Sequence, residues 1–288
     1  MAHTSMEAGK LMVAAMAGFL LAGCNSDSSS DTSDGGAPID RDFGQPTSSQ
    51  IRPGVEISAT GYGVCTSNFI FAADEVTYYI GVAAHCFSND TNQQPPVDPC
   101  VARNAPLGFS DIRIENASQP GELAYSSWAA MNENGETPGS DICTYNDFAL
   151  VKIHPDDIAN VHPAAITYGG PTALFTGSAQ VGDAVYSYGR SSFHSGVQDL
   201  EAKEGQVSGI QAEGLNYRLS FDNPGLPGDS GSAVLHSDGR ALAVLTTVGV
   251  AVGVSNGAVS LERALNYGKN SGHIRSSTRL MTWSVFTP

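Results

Sequence analysis

The sequence predicts an all-β domain, a sandwich or barrel of short strands. Three observations lead there. From about residue 51, apolar or alternating runs of four to ten residues are broken by Gly, Pro, Asn and Asp. Glycine is frequent, at 32 of 288 residues, while charged residues make up only 15%. Helical periodicity is scarce. In order, the strands are read in "GVCTSNFIFAA", "TYYIGVAAH", "DFALVKI", "DAVYSYG", "GQVSGI", "NYRLSF", "SAVLHS" and "ALAVLTTVGVAVGV". β-branched and aromatic residues favour the pleated conformation in them. Residues 87–140, polar and rich in Pro and Asn, are read as long loops. One helix is expected at "SLERALNYGK", residues 260–269, with Ser260 as cap and Leu261, Ala264 and Leu265 on one face. The tail "IRSSTRLMTWSVFTP" is read as a further edge strand.

The first residues stand apart from this fold. Lys10 precedes "LMVAAMAGFLLAG", an apolar run too short to span a bilayer comfortably and suited to a secretory signal. The run ends at Leu21-Ala22-Gly23-Cys24, which resembles the bacterial lipobox, whose cysteine is lipidated at the new N-terminus. Asn25 stands where an aspartate favours inner-membrane retention, so the resemblance implies an outer-membrane anchor. Residues 1–23 are therefore assigned to a lipoprotein signal peptide and 24–50 to a tether. Its core, "NSDSSSDTSDGGAP", buries too little to offset its ordering entropy. The net charge of −15 argues against nucleic-acid binding, which leaves a basic footprint.

With Cys24 assigned to lipid, Cys65, Cys86, Cys100 and Cys143 remain. An even number in an exported chain suggests two disulfides, in any of three pairings. No two lie at Cys-x-x-Cys spacing, and neither a metal nor a cofactor is assigned.

The chemistry is expected at "GLPGDSGSAV", residues 225–234, around Ser230. A serine hydroxyl is a weak nucleophile that needs a base, and the base needs an orienting acid. Among seven histidines, His85 alone ends an apolar strand, in "YYIGVAAHCF". His154, His162, His194, His236 and His273 sit among polar residues and are read as surface positions. Asp147, in "TYNDFALVKI", enters the core at a strand start, where a buried carboxylate requires a partner.

Ala83-Ala84-His85-Cys86, Asp147 to Val151 and Gly228-Asp229-Ser230-Gly231, in that order and separated by 62 and 83 residues, resemble the motifs of chymotrypsin-like serine peptidases. The resemblance covers residues 51–270. It implies two six-stranded antiparallel Greek-key β-barrels with a short C-terminal helix. In the 51–288 domain the barrels would fall at about 51–160 and 161–288. It implies a serine endopeptidase, with Ser230 as nucleophile, His85 as general base, Asp147 as orienting acid, and the N–H groups of Gly228 and Ser230 as oxyanion hole. It further implies a Cys65–Cys86 bridge beside the histidine, which leaves Cys100 and Cys143 to each other. The expected partners are a protein or peptide substrate and, through Cys24, a membrane; the domain is expected to be monomeric.

The sequence departs from the family in three places. Ser232 replaces a glycine after the nucleophile motif. Pro224 stands six residues before Ser230, where trypsin-like enzymes carry a selecting aspartate, and Asp222 lies two residues further back. With Thr247, Val248 and Gly249 expected along bound substrate, the pocket is read as selecting an uncharged residue. Lastly, no activation site appears near residues 50–60, so Asp229 is expected to be held by a group other than a freed N-terminus. Two rivals differ in kind. An α/β-hydrolase elbow needs a glycine at position 232 and a different residue order. A catalytically inactive protease-like adhesin or interaction module would keep the fold without turnover.

Overall fold

The computed structural model describes residues 41–90, 97–195, 197–247 and 255–288. Cys24, Val248 and Gly249 lie outside the described residues.

The first half carries β1 (Glu56–Ala59), β2 (Val64–Thr66), β3 (Ile70–Asp74), β4 (Thr77–Val82), β5 (Ile112–Ile114), β6 (Glu122–Ser126) and β7 (Ala149–Lys152). The second carries β8 (Ala184–Tyr188), β9 (Ala202–Gln211), β10 (Asn216–Phe221), β11 (Ala233–His236), β12 (Ala241–Thr247), β13 (Asn256–Ser260) and β14 (Arg279–Leu280). Every named pairing is antiparallel, as with Val244 opposite Val259 between β12 and β13.

β8 to β13 close into a six-stranded barrel in the order β10-β13-β12-β11-β8-β9. Its interior is filled by side chains such as Val185, Val207, Tyr217, Leu219, Leu242 and Leu245. The first half is less regular than the expected closed barrel. It forms a three-stranded sheet, β2-β1-β5, and a five-stranded sheet, β14-β3-β4-β7-β6. Ile57 from the first and Ile80, Val151 and Leu123 from the second share one apolar core. The run read as one strand, "GVCTSNFIFAA", breaks at Ser67–Phe69. There the Ser67 N–H turns to the Val55 carbonyl at 2.9 Å and the Asn68 N–H to Gly81 at 2.7 Å. One chain thereby serves both sheets.

The region read as long loops also holds α1 (Ser127–Glu133) and α2 (Asp141–Tyr145), capped by Ser126 and Ser140. α3 is a single turn at Gln198–Glu201. α4 runs over Leu261–Asn270, capped by Ser260 as read from the sequence. β14 leaves the second half and pairs with β3 of the first. Among the described residues no helix is long and apolar enough to cross a membrane.

Candidate active site

The cleft between the two halves has a volume of about 570 Å³ and is lined by His85, Asp147, Gly228, Ser230, Trp128 and Thr247, among others. That size suits a ligand-binding site.

His85 lies in a short 3-10 turn just after β4. Its backbone N–H donates to Asp147 Oδ1 at 2.9 Å, and its ring Nδ1 meets Asp147 Oδ2 at 2.6 Å. The acid thus fixes both the backbone and the ring of the residue it serves. Burial disfavours the imidazolium, but the charge and hydrogen bond of Asp147 outweigh it and raise the His85 pKa above its ordinary value.

Asp147 is in turn held from both sides. Ser127, fully buried at the start of α1, donates its hydroxyl to the Asn146 carbonyl at 2.8 Å and accepts the Phe148 N–H at 3.0 Å. Both peptides flanking the acid are therefore clamped by one side chain. α1 also carries Trp128, whose ring centroid lies 6.4 Å from that of His85. Among the described residues its buried indole N–H has no hydrogen-bond partner.

Ser230 lines the same cleft, and among the described residues its hydroxyl makes no hydrogen bond to His85; such contacts are often long before substrate arrives. Its loop is gripped by the first half. The Thr66 N–H donates to the Ser230 carbonyl at 2.9 Å, the Thr66 hydroxyl to the Gly228 carbonyl at 2.8 Å, and Asn68 Nδ2 to the Gly231 carbonyl at 3.0 Å. Thr66 and Asn68 are fully buried. Sequence reasoning missed them, although polar "TSN" between apolar strands was a signal for buried polar work.

Asp229, Gly231 and Ser232 donate their N–H groups to Leu226, Leu245 and Asp229 carbonyls respectively. Among the described residues the N–H groups of Gly228 and Ser230 have no acceptor. Gly228 makes this geometry with φ +101°, and a Cβ there would sit 3.0 Å from Ser191 Cα. The glycine is needed for the fit against Ser191.

Asp229 is fully buried and saturated with donors. Its Oδ1 accepts the Ser191 N–H at 2.9 Å and its Oδ2 the Leu226 N–H at 2.9 Å. His194 Nε2 lies 3.0 and 2.9 Å from the two oxygens, and Lys203 Nζ 3.1 Å from Oδ2. Burial pushes the Lys203 ammonium below its ordinary value, against the pull of Asp229. Reading His194 and His162 as surface positions is corrected: both are buried, His194 on Asp229 and His162 against Trp283 at 4.8 Å.

The cysteines form Cys65–Cys86 and Cys100–Cys143 bridges. The first adjoins His85, and the second ties the segment before β5 to α2. Thr247 lies at the cleft, where its Oγ1 accepts the Gly257 N–H at 2.7 Å. Asp222 is exposed and does not line the cleft.

The fold is shared with known peptidases. Thermobifida fusca Protease A superposes with a TM-score of 0.51 at 18% identity, over 81% of this chain and 99% of that one. A Cellulomonas bogoriensis chymotrypsin gives 0.47 at 16% identity, over 81% and 99%. No curated protein matches the chain in sequence. The model of the trypsin-like peptidase domain matches residues 65–244, more than half of the polypeptide, and the chain belongs to that family of serine peptidases.

Proposed function

We propose that the chain is an active serine endopeptidase that works through His85, Asp147 and Ser230. The observation that carries this reading is the tight His85–Asp147 pair sharing one cleft with Ser230 and two N–H groups that lack acceptors. Two N–H groups left free beside Ser230 at the cleft are suited to receive a substrate oxygen.

The reaction follows from these positions. Ser230 Oγ forms a bond to the scissile carbonyl carbon while its proton passes to His85 Nε2. The negative charge that develops on the carbonyl oxygen is received by the Gly228 and Ser230 N–H groups, worth about 3 kcal/mol per donor. Asp147 keeps the other imidazole nitrogen protonated and balances the imidazolium. When the C–N bond breaks, His85 returns the proton to the leaving amine. Water then attacks the acyl-enzyme by the same route and restores Ser230.

Pro224 in place of a selecting aspartate, with Thr247 at the cleft, supports an uncharged residue on the acyl side of the cleaved bond. Two disulfides support export. We read Cys24 as the lipid anchor of a monomeric domain tethered to the outer membrane by residues 24–50. Asp229 needs no freed N-terminus, so active protein is expected to retain residues upstream of 51; N-terminal sequencing that finds a start near 53 overturns this.

A fluorophosphonate probe tests the main reading. The folded wild type is expected to label, and Ser230→Ala to lose labelling. His85→Ala should lower turnover by roughly 10⁴-fold or more without loss of fold, because the triad acts as a unit. A folded wild type that fails to label favours the interaction module.

A further inference from the structure

We infer that Lys203, with His194, is the internal counter-ion that holds the oxyanion loop in its working shape, a positioning role for the reaction proposed above and dependent on that reading for its catalytic meaning. An ionised carboxylate offers about four lone-pair sites. The Ser191 N–H, the Leu226 N–H, His194 Nε2 and Lys203 Nζ supply four donors to Asp229. An incoming ammonium from a cleaved N-terminus has no vacant site to occupy.

The segment where such a terminus would arise is also committed. The Ile51 N–H donates to Asn160 at 3.0 Å, the Ile166 N–H to the Pro53 carbonyl at 3.0 Å, and the Gly54 N–H to Ser67 at 3.1 Å. Arg52 Nε donates to the Ala164 carbonyl at 2.8 Å. Freeing residues 51–54 would unmake these bonds, and Ile51 is fully buried.

Lys203 does what a terminal ammonium would do, from the interior. It is fully buried on β9, and its Nζ also donates to the Leu200 carbonyl at 3.0 Å. His194 Nε2 faces both carboxylate oxygens and lies 3.4 Å from Lys203 Nζ; among the described residues its buried Nδ1 has no partner. A carboxylate without its cation is costly to bury. Lacking Lys203, Asp229 would be driven toward water and take the adjoining peptides with it. The peptide after Asp229 carries the Ser230 N–H, and the Gly228 N–H lies one peptide further back in the same loop. Behind Lys203, Glu201 is buried and accepts the Tyr188 hydroxyl at 2.5 Å, so the charged side chains are packed as one set.

The experiment compares full-length wild type, Lys203→Met, Lys203→Arg and the double variant Lys203→Met/Asp229→Asn. Two readouts are taken: hydrogen exchange of the peptide covering 224–232, and kcat and KM on a peptide ester. In Lys203→Met, exchange in 224–232 should rise at least tenfold while β12 and β13 stay protected. Its kcat should fall at least hundredfold, with KM within threefold of wild type. Lys203→Arg should recover at least a tenth of the wild-type kcat. If Lys203→Met does not fold, the double variant removes the unpaired carboxylate; it should fold and remain at least hundredfold slow. Unchanged exchange in 224–232, or kcat within threefold of wild type in either Met variant, overturns the assignment. A wild type silent on the ester, with exchange still rising in Lys203→Met, overturns the peptidase reading and leaves the positioning role standing.

Discussion

The His85 imidazole is pulled two ways, and which pull wins sets a pH dependence. Burial favours the neutral ring, while Asp147 favours the cation and prevails, so the folded pKa lies above 6.5. As the proposed base, His85 must be neutral to accept a proton. The acid limb of kcat/KM is therefore expected to have its midpoint above pH 6.5 and to move down in Asp147→Asn, with activity falling roughly 10³–10⁴-fold. Stability has the opposite sign. The raised pKa contributes in full below pH 6.5, and the contribution is lost as pH climbs through the folded value. A wild-type midpoint below 6.5 would contradict the pairing. Gly231 gives a second residue-scale expectation. It sits at φ +91°, and a Cβ would strike the Thr66 carbonyl. Gly231→Ala should destabilise by about 2 kcal/mol or more and slow labelling of Ser230. His85, Asp147 and Ser230 could be picked out from sequence because each sits in a short local pattern: a strand end, a strand start, a glycine-rich turn. Lys203 and His194 could not, because their partner Asp229 is remote in sequence and nothing beside them announces a buried charge.

Elements were legible in proportion to their length and regularity. α4 has ten residues, a serine cap, Glu262 in its first turn and Lys269 in its last, so sequence alone placed it within one residue. α1 and α2 have seven and five residues, too few to display a helical period amid Pro and Asn. Their serine caps were the only marks they left. The cap of α4 can be tested. Ser260 Oγ accepts the Arg263 N–H at 3.5 Å, and Ser260 is buried at the junction of β13 and the helix. Ser260→Ala should cost about 1 kcal/mol, a fall in Tm of roughly 3 °C, with kcat/KM unchanged because the helix lies away from the cleft. Ser260→Asp, which keeps an acceptor, should fall less. Equal losses in both variants would assign the cost to burial at the junction rather than to capping.

The whole molecule depends on contacts that bridge its halves, and the C-terminal tail supplies several. The Met281 N–H donates to the Ile70 carbonyl of the first half at 2.8 Å. The Trp283 N–H reaches Pro171, the Thr287 N–H reaches Tyr168, and the Val285 carbonyl accepts the Gly170 N–H, each at 2.8 Å. Phe286 packs on Tyr186 with ring centroids 5.8 Å apart, so one short segment ties β3 to the barrel that follows. Sequence suggested an edge strand but not which sheet it joins, because register across halves is a tertiary matter. Residues 85, 147 and 230 line one cleft at this seam, and stapling it keeps the three side chains of the proposed triad together. Deleting 279–288 removes the buried Met281 side chain, the Phe286 contact, the β14–β3 pairing and the four further backbone bonds just named, at a cost of about 3–5 kcal/mol. The expected result is a Tm lower by roughly 10 °C. Fluorophosphonate labelling of Ser230 should slow as well, even at temperatures where circular dichroism still reports native strands. A truncated chain with wild-type Tm and labelling rate would show that the two halves hold their shared cleft without the strap.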